Sequence, residues 1–191
     1  MLSSQGFQEV YNVAGGIKGW NGNIAFGPED MGLELFDGNE SAEKTLTVAY
    51  SLEQGLREFY LSMEATQSDD AVKKLFSQFA EIEIKHQERI FTEYLRITGK
   101  DINRHDFEET IVVKAVEGGL TTEQYIEIFK PDLNSAHEVV ALAMSIEAQA
   151  LDMYQRAAYR SGEPEGKKVL SQIASEEQTH LQLLGNLMDS L

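Results

Sequence analysis

The chain repeats itself. Ala49, Ser51, Glu53 and Tyr60 recur as Ala143, Ser145, Glu147 and Tyr154. Lys73, Lys74, Ser77, Gln78, Ala80, Glu83 and His86 recur as Lys167, Lys168, Ser171, Gln172, Ala174, Glu177 and His180, all at one offset of 94 residues and without a gap. Chance similarity does not hold register across two helical stretches and the loop between them, so the repeat marks a duplicated helix hairpin. One hairpin cannot cover its own apolar face; two can cover each other's, around a pseudo-twofold axis.

Start and stop signals place the four helices. Ser41 is an N-cap for the first, which runs to about Thr66. Ser68-Asp69-Asp70 opens the second with acidic residues in its first turn, and Gly99 ends it. Ser135 opens the third, with Glu138 placed to close a capping box, and the pattern continues to about Arg160. Ser161-Gly162-Glu163-Pro164 breaks the chain, and Pro164 suits the first turn of a fourth helix that runs close to the C-terminus. Short loops within each pair make the pairs antiparallel. Residues 101–134 between them can run back along the bundle, with a short helix predicted near Thr122 to Phe129. Two hairpins joined by one long crossover is the ferritin-like topology, so the expected fold is an all-α, ferritin-like four-helix bundle. Residues 1–40 differ, being rich in glycine and holding the only tryptophan, Trp20, and read as a short segment outside the bundle. Phe7 to Val13 could form a strand there, before a Gly15-Gly16 turn.

The inward seams carry the wrong residues for an ordinary core. The first helix presents Leu46, Ala49, Glu53, Leu56, Tyr60 and Met63, at steps of three and four. The second gives Leu75, Phe79, Glu83, His86 and Ile90; the third Val140, Ala143, Glu147, Ala150 and Tyr154; the fourth Leu170, Ile173, Glu177, His180, Leu184 and Leu187. Four glutamates and two histidines thus fall at matching heights in the core. A buried, unpaired carboxylate costs several kcal/mol, and four together repel one another. No run of lysine or arginine shares the seams, whereas two divalent cations would balance four carboxylates. Glu-x-x-His puts both side chains on one helix face about a turn apart. A mixed oxygen and nitrogen donor set suits iron, manganese or zinc better than calcium. Glu53, Glu83, His86, Glu147, Glu177 and His180 are therefore the candidate ligands of two metal ions. Tyr60 and Tyr154, seven residues past the ligand glutamates, are either phenols bonded to ligand carboxylates or plain aromatic core. His105 and His137 read as surface residues.

Composition narrows the function. A formal net charge of −16 argues against nucleic acid and anionic membranes as partners, and suits either cation binding or simply a solvated acidic surface. The absence of cysteine removes disulfides, zinc-thiolate sites and cysteine nucleophiles. No signal peptide or membrane-length apolar stretch is evident, so the expected location is cytoplasmic.

Residues 41–191 resemble the ferritin-like domain of the rubrerythrin family. The likeness lies in A-x-x-x-E-x-x-x-x-x-[FM]-Y at Ala49–Tyr60 and Ala143–Tyr154, and in Glu-x-x-His at Glu83–His86 and Glu177–His180. The resemblance implies a non-haem di-iron site reacting with peroxide or dioxygen. Two features depart from the family. Its further glutamate, one turn after the third-helix ligand, is here Ala150, and its four-cysteine rubredoxin domain is missing. Electrons would then come from outside, from a rubredoxin or a flavoprotein. Gly6, Phe7, Val10, Tyr11, Asn12, Val13, Gly15, Gly16, Ile17 and Trp20 resemble the closing segment of a rhodanese domain. That likeness implies a fragment of a rhodanese–rubrerythrin fusion, with residues 1–40 as remnant and linker.

Three functions follow as expectations. The first is an oxidoreductase that reduces hydrogen peroxide or dioxygen at two iron ions, working as a homodimer. The second is iron binding with ferroxidase activity, for which a cage assembly would speak. The third is a metal-stabilised structural module of the fusion protein.

Overall fold

The computed structural model describes residues 32, 35–36, 38–111, 115 and 119–191. Among them are six helices: α1 (Ala42–Thr66), α2 (Asp70–Thr98), α3 (Arg104–Glu108), α4 (Thr122–Phe129), α5 (Ala136–Arg160) and α6 (Pro164–Met188). Among the described residues no helix is long and apolar enough to cross a membrane. The expected strand at Phe7–Val13 and the rhodanese-like segment lie outside the described residues.

α1 packs along α2 and α5 along α6, giving the two hairpins expected from the repeat. Their ends are fixed by the anticipated residues. Ser41 Oγ accepts from the Lys44 amide at 3.3 Å, and Asp69 Oδ1 from those of Ala71 and Val72 at 2.8 and 3.1 Å. Gly99 closes α2 at φ 64°, the left-handed conformation that favours glycine. Pro164 occupies the first turn of α6. One cap differs from expectation. Ser135 accepts from the Glu138 amide, but the Glu138 carboxylate turns outward to the Asp132 amide at 2.7 Å, so the reciprocal half of the box is missing.

The apolar core falls into two clusters. One gathers Leu46, Tyr50 and Leu52 of α1, Ile90 and Tyr94 of α2, Met153 and Tyr154 of α5, and Leu170 and Ile173 of α6. The other holds Leu56, Phe59, Tyr60 and Met63, then Val72, Phe76 and Phe79, Val140 and Ile146, and Leu184. The boundary falls on every long helix at the level of the seam glutamates. The seams are as expected except at two ends. Leu75 and Leu187 are only half-buried, and Val72 and Phe76 take the inner positions at the start of α2.

The crossover is pinned at both ends. α3, which is too short to leave a periodic signature, inserts Phe107 against Tyr50 and Tyr94, ring centroids 5.0 and 4.6 Å apart. Arg104 beside it donates to the Tyr50 hydroxyl and to Gln87 Oε1, each at 2.8 Å. α4 begins with a complete capping box at Thr121 and Gln124 and buries Tyr125 in the second cluster. The connection therefore travels from one end of the bundle to the other.

The core also reaches upstream of residue 41. Phe36 is buried against Tyr154, and the Gly38 carbonyl accepts from the Gly162 amide at 3.1 Å. Gly38 has φ 89°, and a Cβ there would stand 3.0 Å from the Arg160 carbonyl oxygen, so this approach needs glycine. Phe36→Ala should cost about 3–5 kcal/mol in urea unfolding, as for other buried phenylalanines. A change of under ~1 kcal/mol would show that this strand of chain only rests on the bundle.

Candidate metal centre

Each long helix delivers its polar residues to one level. α1 supplies Glu53, α2 Glu83 and His86, α5 Glu147, and α6 Glu177 and His180. The four glutamates have no exposed surface, and His86 and His180 retain only 7% and 3%. Three groups bring ligand atoms within 4.8 Å of one another: Glu83, His86 and His180; Glu53, His86 and Glu177; Glu147, Glu177 and His180. Shared members join them into one cluster of all six candidate ligands. The first two groups draw on both hairpins, and the third comes from α5 and α6.

Both imidazoles aim Nδ1 inward. His86 Nδ1 lies 2.9 Å from Glu83 Oε2 and 3.1 Å from Glu53 Oε2. His180 Nδ1 lies 3.3 Å from both Glu147 Oε1 and Glu177 Oε2. The rings stack, with centroids 5.4 Å apart and planes at 13°, and Phe79 covers the other face of His180 at 5.1 Å. Tyr60 donates its hydroxyl proton to Glu147 Oε1, across from α1 to α5. Of the two readings for this tyrosine, bonding to a candidate ligand is the one observed. Tyr154 is buried beside Phe36 in the outer layer. His105 and His137 are exposed and stand apart from the cluster.

Electrostatics set the carboxylates against one another. Burial pushes Glu83 well above the usual range, and the charges of Glu53, Glu147 and Glu176 push the same way. Burial opposes ionisation of Glu53 too, but the hydrogen bond and charge of His86 outweigh it and hold Glu53 low. Glu147 is likewise held low against burial, by His180, Glu177 and Tyr60. His86 is raised: burial disfavours its cation, and Glu53 more than compensates. Burial raises the Tyr60 phenol far above its ordinary value, with Glu147 and Glu83 adding to it. Glu83 and His86 thus both take up protons more readily than they would in water.

These residues fit divalent metal ions. Glu53 Oε1, both Glu83 oxygens, Glu147 Oε2 and His180 Nδ1 are fully buried and make no hydrogen bond. Glu53, Glu83 and Glu147 pair with histidine and, among the described residues, with no lysine or arginine. Cations among them would satisfy these atoms and balance the charge, and the mixed donors match iron, manganese or zinc. A larger cavity, about 480 Å³, lies elsewhere, between the outer face of α1 (Ser51, Gln54, Glu58) and the crossover, and is lined by none of the six.

Two neighbours escaped the sequence reading. Arg89 and Glu176 form a bidentate ion pair between α2 and α6 beside His86. Neither has a counterpart in the repeat, which was the signal used to find the others.

Comparison with known proteins came to the same region. A rubrerythrin family model matches residues 44–188. A solved structure, a hypothetical protein from Pyrococcus furiosus, superposes with a TM-score of 0.53 at 23% identity, covering 78% of this chain and 89% of that one. At that identity it speaks for the fold alone. No curated protein matches the chain.

The shifts give the metal-free protein a definite pH response. Glu83 and His86 bind protons more tightly in the folded state than in the unfolded chain, so the stability they contribute is present at low pH and is lost as pH rises through their raised values. Below the ordinary carboxylate range the trend reverses, because Glu53 and Glu147 must then be protonated. The chelator-treated protein should melt higher at about pH 5.5 than at about pH 8, and metal uptake at neutral pH should release protons. Calorimetry and a pH-indicator titration check both, and Glu83→Gln should reduce the release.

Proposed function

The chain belongs to the rubrerythrin family, and on that premise we propose that it is a di-iron carboxylate oxidoreductase that reduces hydrogen peroxide or dioxygen with electrons from an external donor. The observation that carries this reading is the buried six-residue cluster, in which Glu53 Oε1, both Glu83 oxygens, Glu147 Oε2 and His180 Nδ1 make no hydrogen bond. Glu53, Glu83, His86, Glu147, Glu177 and His180 would hold the metal ions. A ferrous pair bound there would supply two electrons, the number that converts hydrogen peroxide to water.

The chain's own residues prepare the site. Tyr60 fixes one oxygen of Glu147 and keeps its proton, since burial places the phenol far from ionisation. The apolar clusters on either side exclude bulk water and hold the six donors in place. A cavity of about 110 Å³ lies beside Arg89, lined by residues of α1, α2 and α6. Ala150 is fully buried one turn beyond Glu147 and offers no further donor. The chain has no cysteine to relay electrons, so a rubredoxin-like or flavin donor is the partner this reading requires.

Anaerobically purified protein should contain about two metal ions per chain, and Glu83→Ala or Glu177→Ala should remove much of that content by elemental analysis. The ferrous form should consume about one peroxide per di-iron site in stopped flow, then stall until a donor is added. A ferrous site inert to both peroxide and dioxygen would leave only a structural role for the metal.

A further inference from the structure

The two halves of the centre are related by the repeat, but what stands behind their histidines is not. His86 turns Nδ1 to the carboxylates and leaves Nε2 facing outward, 3.8 Å from Glu176 Oε2. Glu176 is held there from the other side. Arg89 donates to both its oxygens, through Nη2 at 2.7 Å and through a shorter contact from Nη1, and Gln172 Nε2 donates to Oε1 at 3.4 Å. In the repeat, the position equivalent to Glu176 is Ile82 and that equivalent to Arg89 is Leu183. His180 therefore has an aliphatic side chain at the corresponding position, and Phe79 against its ring.

We propose that Glu176, clamped by Arg89, is a positioning residue for His86, and that it makes the two metal positions unequal. The proposal rests on the metal-binding reading above. A histidine that ligates through Nδ1 must carry its proton on Nε2, and a carboxylate facing that N–H fixes the tautomer and increases the basicity of the ligand nitrogen. At 3.8 Å the pair is at ion-pair distance, and the carboxylate charge acts on the ring nitrogen directly. Arg89 prevents the carboxylate from turning to solvent, since its two donors match both oxygens. The position served by His86 thus binds its ion more tightly than the position served by His180.

Anaerobic cobalt(II) titration of the full chain, followed by visible absorption and calorimetry, tests this. The wild-type protein should fill in two separable steps. Glu176→Gln, which keeps the shape and removes the charge, should weaken the tighter step by about 10–100-fold and leave the weaker one unchanged. In a His86→Ala background Glu176→Gln should have no further effect, whereas in a His180→Ala background it should keep its full effect. The hyperfine-shifted ring N–H proton of His86 should also exchange faster with solvent in Glu176→Gln. Arg89→Lys should retain most of the wild-type difference between steps, and Arg89→Gln should lose it. Two equal steps in the wild type, an unchanged tighter step in Glu176→Gln, or an equal loss in both steps would overturn the proposal. Failure of the wild type to bind cobalt at all would instead overturn the metal-binding reading, and this inference with it.

Discussion

Four carboxylates buried at one height in a helical core repel one another, and the rest of the molecule is arranged around that repulsion. Two unit charges about 4 Å apart repel by about 4 kcal/mol at an effective dielectric of ~20, so several such pairs could undo a domain of ordinary stability. The protein places each glutamate on a different helix, and each pair of helices is already closed as a hairpin. It separates two apolar clusters by the charged layer, so that burial on both sides holds the layer together. Without metal, the raised proton affinity of Glu83 and His86 acts against the repulsion. A bound metal would turn the same atoms into donors, so that stability and metal binding would be two aspects of one electrostatic balance.

Duplication explains why this balance is symmetrical in outline. The repeat supplies one Glu and one Glu-x-x-His from each hairpin, and two of the three groups of donors mix residues of both hairpins. Neither hairpin could build the centre by itself. The differences between the halves are then informative, because the original copy had no reason to contain them. Arg89 and Glu176 join α2 to α6, where the repeat-equivalent pair is Leu183 and Ile82. This link runs between the hairpins and touches the polar layer.

Much of this was readable in the sequence, for a physical reason. A glutamate in a heptad seam violates the rule that buries leucine there, and four such violations in repeat register identify a site without any structure. The helix ends were legible because Ser41, Asp69, Gly99 and Pro164 act within one turn of themselves. What stayed hidden depends on contacts between distant segments. Phe36 looks like part of a glycine-rich tail until Tyr154 is seen beside it. Phe107 sits in a five-residue helix, too short to show a period, and is recognisable only from the aromatic rings of α1 and α2 around it. Glu138 could have closed its own box, but a free amide at Asp132 competed for it and won.

Glu176 and Glu177 show the limit most sharply. They are adjacent and chemically identical, and in sequence alone only the second stands out, through its place in the seam and its histidine three residues on. A rotation of about 100° along the helix separates them: Glu177 turns into the core, and Glu176 turns to the cleft between α2 and α6. There it meets Arg89, also outside the seam, three residues past His86. Seam periodicity finds the residues that face the core, while residues that act on them from behind lie one step off the seam by necessity. A search for such partners should therefore begin at the neighbours of each ligand, and ask which of them the repeat failed to copy.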